Sequence, residues 1–412
     1  MEKTTHPQQL AEHFFRHEYS KMVAVISRYF GMSRLDMSED IVQDTLIEAM
    51  NHWEYNGIPE NPQAWLYKVA KNKTLNVLNR DKYQQAYVKE VKPEEITIDF
   101  EESEFKDDLL QMMFACCHPS INIDSQTVLI LKTLCGFSIE EMASAYLTNK
   151  ETINKRLVRA RKTLRSYEIK LVMPPKNELK NRLDAVLHTL YLLFNEGYNA
   201  SSGDKLIRYE LCLESIRLLN LIVEHPHFLS SSKAHALKAL MLLNTSRFEA
   251  RLSTNGGLVP MSEQDRFKWD QRLINTGLQH LEKTTKSREL SKYHILATIS
   301  AYHCTATNYE STDWPGILSM YNALIEIEPS PLVIINRSIA VAKVDGPEEA
   351  LQELETLQSD TILNYHFYHM TVAELLTELN RTDEALAYRE KALGLTTNQF
   401  EKDFIMSKMN QC

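Results

Sequence analysis

The stretch from Gly136 to Arg165, GFSIEEMASAYLTNKETINKRLVRARKTLR, constrains the fold most, because it reads as two short amphipathic helices with a tight break between them. Ser138 followed three residues on by Glu141 has the form of a capping box at the start of the first helix. Ile139, Met142 and Ala143 share its apolar face, Tyr146 and Leu147 cover the turn, and Thr148 or Asn149 restarts a helix. In that second helix Ile153, Leu157, Ala160 and Leu164 recur at three- and four-residue spacing as a buried ridge. Lys150, Thr152, Lys155, Arg156, Arg159, Arg161, Lys162 and Arg165 occupy or flank the opposite face. This is the pattern of a helix-turn-helix, in which early residues of the second helix meet base edges in the major groove and later ones grip phosphate. A solvated basic face is the plainer reading of this segment taken alone.

A second segment points the same way. In Asn61 to Lys82, NPQAWLYKVAKNKTLNVLNRDK, the apolar face carries Leu66, Val69, Ala70 and Val77, and Lys68, Lys71, Asn72 and Asn79 lie on another. Trp65 and Tyr67 add stacking surfaces among the cations, a combination suited to unpaired nucleic acid, where bases stack and phosphates need neutralising. Upstream, Ser38 reads as the cap of a helix bearing Glu39, Asp40, Gln43, Asp44 and Glu48, an acidic surface suited to a basic protein partner or to solvent alone.

Together, EDIVQDTLIEAM (Glu39 to Met50) with NPQAWLYKVAKNKTLNVLNR (Asn61 to Arg80), and LKTLCGFSIEEMASAYLTNKETINKRLVRARKTL (Leu131 to Leu164), resemble regions 2 and 4 of an extracytoplasmic-function sigma factor of the sigma-70 class. The resemblance implies roles residue by residue. Asp40, Gln43 and Asp44 match the helix that binds bacterial core RNA polymerase. Trp65, Lys68, Asn72, Asn76 and Arg80 match the helix at the promoter −10 element, and Glu54 to Pro62 the loop that captures a flipped base. Lys150, Thr152, Asn154, Lys155, Arg156 and Arg159 match the helix in the −35 major groove. Asn76 departs from the family, which usually has Asp there, and so weakens any borrowed −10 preference.

Between the two regions, Pro93 to Asp108 holds eight acidic residues against Lys106, with few apolar side chains, and reads as a flexible acidic linker. A mimic of nucleic acid inside a polymerase channel is the sharper reading of the same charges. The formal net charge of −9 excludes a generally DNA-coating protein, so nucleic-acid contacts must be local. No apolar run approaches the ~20 residues of a membrane span, and the amino end lacks a signal-peptide core, which implies a cytoplasmic protein. The six Cys show no CxxC pairing, and Cys116-Cys117-His118 falls short of a four-ligand zinc site. Neither a metal nor another cofactor is expected. With no HExxH, GxSxG or phosphate-cradling glycine loop, the chain does not read as an enzyme.

Beyond Met173 the sequence is richly apolar at helical spacing. Ile317, Ala350 and Ala385 stand 33 and 35 residues apart, Tyr321, Leu324 and Pro329 complete the earliest unit, and Ala373, Leu376 and Ala392 fit small or apolar positions of a tetratricopeptide repeat. Thr397 stands where a closing Pro is common, and the stretch before residue 300 fits the repeat poorly. This tail resembles the extension on one group of these sigma factors. Its most group-like segment is TLYLLFNEGYNASSGD (Thr189 to Asp204), where Gly197 and Gly203 are expected to break a helix. Asn195, Glu196 and Tyr198 are candidates for an intramolecular interface with the sigma core.

The expected architecture is all-α: a region 2 domain (1–92), an acidic linker (93–108), a helix-turn-helix region 4 domain (109–173) and a tetratricopeptide-like helical domain (174–412). Its partners are core polymerase and promoter DNA, with a protein or peptide for the last domain, which modulates activity in cis with a sign the sequence does not fix. The alternative is a polymerase-independent helix-turn-helix regulator with a peptide-binding tail, which leaves Asn61 to Lys82 without a role.

Overall fold

A computed structural model describes residues 7–89, 98, 100, 104–146, 148–198, 208–253, 257, 259–357, 360–396 and 399–410. Among these the chain is helix and loop throughout, without β-sheet, as the sequence predicts. It divides into two compact units, Met1–Leu192 and Leu193–Cys412, a division further along the chain than Met173. No helix among the described residues is long and apolar enough to cross a membrane.

In the first unit, α1 (Pro7–Phe30), a 3-10 turn (Met32–Arg34), α2 (Leu35–Asn56) and α3 (Pro62–Lys89) precede α4 (Phe105–Cys116), α5 (Ile123–Thr133), α6 (Ile139–Ala145) and α7 (Lys150–Ser166). The helix α8 (Lys176–Tyr198) begins in this unit. The middle of α1 is apolar all round: Met22, Val23, Ala24, Val25 and Ile26 are at most 1% exposed. A helix without a wet face must sit at the centre of its unit, and α1 packs on α2, α3, α4 and α5. Each such side chain contributes ~1.5–3 kcal/mol of burial. Hydrogen bonds hold α8 to the rest of the unit. Arg182 donates to the Phe114 carbonyl at 2.6 Å, and the Thr189 hydroxyl donates to Gln126 at 3.1 Å. Cys116 and Cys117 are buried as free thiols, and burial pushes the Cys117 thiol up to about 12.

The stretch expected to be linker differs in two ways. Residues 105–108 form the first turn of α4, where Asp107 and Asp108 face the positive end of the helix dipole. Ile98 is fully buried and Phe100 stacks on Tyr67 at 5.1 Å, so these two apolar side chains pack where composition predicts little packing. The remaining residues of 93–103 lie outside the described set.

The second unit continues with α9 (Tyr209–Glu224), α10 (Ser232–Thr245), α11 (Phe248–Arg251), α12 (Gln271–Glu282), α13 (Lys292–Thr305) and α14 (Trp314–Ile327). After them come α15 (Pro331–Val344), α16 (Pro347–Glu355), α17 (Asp360–Leu363), α18 (His366–Glu378), α19 (Thr382–Leu395) and α20 (Gln399–Met409). Proline in the first turn starts α14, α15 and α16, where its missing N–H has no intrahelical partner to lose. The spacing noted in the sequence falls on equivalent positions. Ile317, Ala350 and Ala385 are each the fourth residue of their helices, α14, α16 and α19, and are at most 1% exposed. Ser338 and Ala373 are the eighth residues of α15 and α18 and are fully buried.

Helix α8 runs through Gly197 rather than breaking there. The missing side chain serves a close crossing instead. A Cβ would meet Cys212 Sγ at 2.7 Å and the Arg208 carbonyl at 2.9 Å, at the start of α9. Gly203 lies outside the described residues. Nearby, arginines close helix ends whose carbonyls are the negative poles of their dipoles. Arg251 donates to the Tyr198 carbonyl at 2.8 Å and lies over the Tyr198 ring at 3.7 Å. Arg266 donates to the carbonyls of His303 and Ala306 at 2.5 and 2.7 Å, ending α13. Arg247, just past α10, donates to the Tyr198 hydroxyl at 2.6 Å. Burial first, then the charges of Arg247 and Arg266, pushes His303 down to about 3.

Candidate nucleic-acid interface

Helices α6 and α7 form from the signals in their sequence. Glu141 accepts from the Ser138 N–H at 2.7 Å and its own N–H donates to the Ser138 hydroxyl at 3.1 Å, the reciprocal capping box that starts α6. Asn149 caps α7, its side chain accepting from the N–H and hydroxyl of Thr152 at 2.7 and 2.9 Å. Ile153, Leu157, Ala160 and Leu164 are the buried ridge of α7. Leu147 lies outside the described residues.

Of the residues expected at the −35 duplex, Lys150, Asn154, Lys155 and Arg159 share the open side of α7. Lys150 is paired to Glu140 at 2.7 Å and Lys155 to Glu151 at 2.8 Å, both with well-exposed side chains. Thr152 is half-buried at the cap, and Arg156 is half-buried beside Asp124 at 3.3 Å.

On α3, Leu66, Ala70 and Thr74 are buried at four-residue spacing and set the helix against the core. Lys68, Asn72, Asn76 and Arg80, also four apart, form an exposed stripe. Trp65 is half-buried at one end of that stripe in an aromatic shelf. It meets Trp53 edge-on at 5.6 Å and His52 at 5.3 Å, and Trp53 stacks on Phe15 at 5.6 Å. The end of α2 and the loop after it leave Tyr55 85% and Ile58 73% exposed. Tyr67, expected as a second stacking surface, is a fastener instead: it donates to buried Glu18 and its ring is covered by Phe100 and Phe105.

On α2, Asp40, Gln43 and Asp44 are exposed as expected. Two other expectations for this helix fail. It starts at Leu35 with Arg34 as its cap position, so Ser38 lies inside it and is fully buried. Glu39 is 2% exposed rather than part of the acidic surface. Burial raises its carboxyl above the ordinary range, against the opposing pull of Arg161. Ile47 and Met50 are 51% and 54% exposed beside the acidic residues.

In the second unit Glu196 pairs with Arg208 at 3.3 Å, and Tyr198 is buried under Arg247 and Arg251. Tyr198 is thus held by residues of its own unit. Asn195 is half-buried.

Residues 14–83, spanning α1 to most of α3, match the sigma-70 region 2 family. Residues 182–285 match a family of unknown function, DUF6596. An uncharacterised protein of Rhizobium meliloti (strain 1021) is 33% identical over 399 residues, covering 94% of this chain and 92% of that protein.

Proposed function

We propose that this chain, which belongs to one family with the Rhizobium meliloti protein and carries the sigma-70 region 2 of a sigma-70 family member, is a promoter-recognition subunit of bacterial RNA polymerase. The observation that supports it best is the pair of exposed polar and cationic stripes on α3 and α7, the first beside an open aromatic shelf. In this reading the acidic rim of α2 (Asp40, Gln43, Asp44), with Ile47 and Met50 as its apolar centre, docks core polymerase. Trp65, Lys68, Asn72, Asn76 and Arg80 hold the unpaired −10 strand by stacking and phosphate neutralisation. Lys150, Asn154, Lys155 and Arg159 meet the −35 groove, with Thr152 and Arg156 at its edge. It belongs to the extracytoplasmic-function group, works in the cytoplasm and catalyses nothing alone, since melting is driven by the holoenzyme.

The helical hairpins from α13 to α19 serve as a tetratricopeptide-like module that acts in cis on the sigma core and offers a surface to a protein or peptide. Equivalent buried positions at Ile317, Ala350 and Ala385 support a repeating packing unit. Deleting everything after Tyr198, so that α8 stays on the first unit, tests the module: a change in reconstituted transcription in either direction gives the sign of its effect, and no change removes it. Transcription from a reconstituted holoenzyme tests the reading as a whole.

A further inference from the structure

Where α10 and α13 end and α12 begins, the second unit gathers more positive charge than its own residues balance. Arg247 stands just past α10, and Arg266 opens a 3-10 turn (Arg266–Lys268) just before α12. Their guanidinium carbons lie 5.8 and 4.6 Å from the centre of one indole ring, that of Trp269. Arg247 is 7% and Trp269 3% exposed. Among the described residues no carboxylate pairs with either arginine. Asp270 is exposed and engaged in capping α12, and Glu310 acts on Arg266 only from a distance. The ends of α10 and α13 supply about half a negative charge each, against two whole positive ones and the positive start of α12. About one positive charge is left over.

The hydrogen bonds are incomplete at the same place. Arg266 Nη1 is taken by the carbonyls of His303 and Ala306 at 2.5 and 2.7 Å, and Arg247 Nη2 by the Tyr198 hydroxyl at 2.6 Å and Asn244 at 3.1 Å. Arg266 Nη2, Arg247 Nε, Trp269 Nε1 and His303 Nδ1 are buried without a hydrogen-bond partner. Burial and then the two arginines hold His303 neutral, so it adds no third charge and its Nδ1 donates in one of its tautomers. A water molecule would complete hydrogen bonds here but leave the charge, whereas an oxyanion does both. Gln264 Oε1, two residues before Arg266, is also buried and unpartnered, an acceptor for a hydroxyl carried by the same ligand. Gln264, Arg266 and His303 are half-buried, so the cluster lies just beneath the surface.

We propose that Arg247, Arg266, Trp269 and His303 form a binding site for a small hydroxylated oxyanion, the phosphate or carboxylate of a metabolite. The site lies at the root of the repeat hairpins, gives the second unit a small-molecule input separate from any peptide surface, and is independent of the promoter reading.

The test titrates the full-length chain with sodium phosphate and, separately, sodium citrate, by calorimetry and thermal melting, with ionic strength held constant by sodium chloride. One site per chain is expected, with the melting temperature raised by ~5–10 °C at about a hundredfold excess over the dissociation constant. Trp269→Phe keeps a ring beneath both guanidiniums and removes the N–H, so it should melt as wild type does without anion and bind the anion at least ~tenfold more weakly. Arg247→Gln should weaken binding too, and Trp269→Phe decides the matter if loss of the Tyr198 contact unfolds that variant. Tighter binding of phosphate assigns the site to phosphate esters, and tighter binding of citrate to carboxylates. An acetylated Glu-Gly repeat peptide that binds where neither small anion does overturns the small-molecule site in favour of a protein side chain. No rise in melting temperature beyond the chloride control, or equal affinity in Trp269→Phe, overturns the site altogether.

Discussion

Replacing Lys155 by alanine separates a groove contact from a structural one. The side chain is 63% exposed on α7 and its ion pair is the i,i+4 contact from Glu151 at 2.8 Å, which supports an isolated helix by only ~0.3–0.5 kcal/mol. Folding stability should therefore barely move. Promoter binding should move in a diagnostic way. One lost phosphate contact lowers the slope of log affinity against log salt by about 0.9, so the ratio of wild-type to variant affinity narrows by roughly threefold between about 50 and about 200 mM salt. If Lys155 instead meets a base edge, the slope holds and discrimination at one base pair relaxes by ~1–3 kcal/mol. Fluorescence anisotropy on a −35 duplex and on single-base variants, across salt, reads both. Unchanged affinity, slope and discrimination, with unchanged melting temperature, would refute the placement of α7 in the groove.

Three further outcomes follow from the packing. Trp65→Ala removes the edge-on partner of Trp53 and is expected to weaken binding of a −10 single strand by ~1–3 kcal/mol while leaving −35 duplex affinity alone; parallel titrations with the two oligonucleotides check it. Burial raises the Asp108 carboxyl from 3.8 to about 6, against the pull of Arg28 at 3.7 Å. A raised folded-state value stabilises the protonated form, so this contribution is full below about pH 4 and is lost as pH rises through about 6. Asp108→Asn is expected to raise the melting temperature of the chain at about pH 8 and to do so little at about pH 3.5, and equal shifts at both would contradict it. Gly197→Ala drives a methyl into Cys212 and the Arg208 carbonyl at 2.7 and 2.9 Å and should cost ~1–3 kcal/mol despite alanine's better helix propensity. Gly394→Ala, with open space around it in α19, should instead stabilise by ~0.5–1 kcal/mol, and thermal denaturation of the pair compares the two.

The sequence was most informative where a local rule decides the outcome. The capping box at Ser138 and Glu141, the ridge Ile153, Leu157, Ala160 and Leu164, and the repeat positions Ile317, Ala350 and Ala385 all depend on neighbours three or four residues away or on a fixed period. It misled where tertiary contacts choose among equivalent local options. Ser38 has the chemistry of a cap, yet the 3-10 turn at Met32–Arg34 starts α2 earlier and leaves it buried. Glu39 looks like its acidic neighbours, and only the approach of Arg161 from more than a hundred residues away explains its burial. Tyr67 read as an open stacking surface because nothing local announces Glu18 as its partner. Gly197 looked like a breaker, whereas a glycine mid-helix equally marks a close crossing.

The most direct test of the central claim is to mix the purified chain with bacterial core polymerase and map transcript starts on genomic DNA. The expected result is a stable complex that initiates at a common set of promoters, lost when Asp40, Gln43 and Asp44 are replaced together. Duplex binding with neither polymerase association nor new transcript starts would contradict the claim.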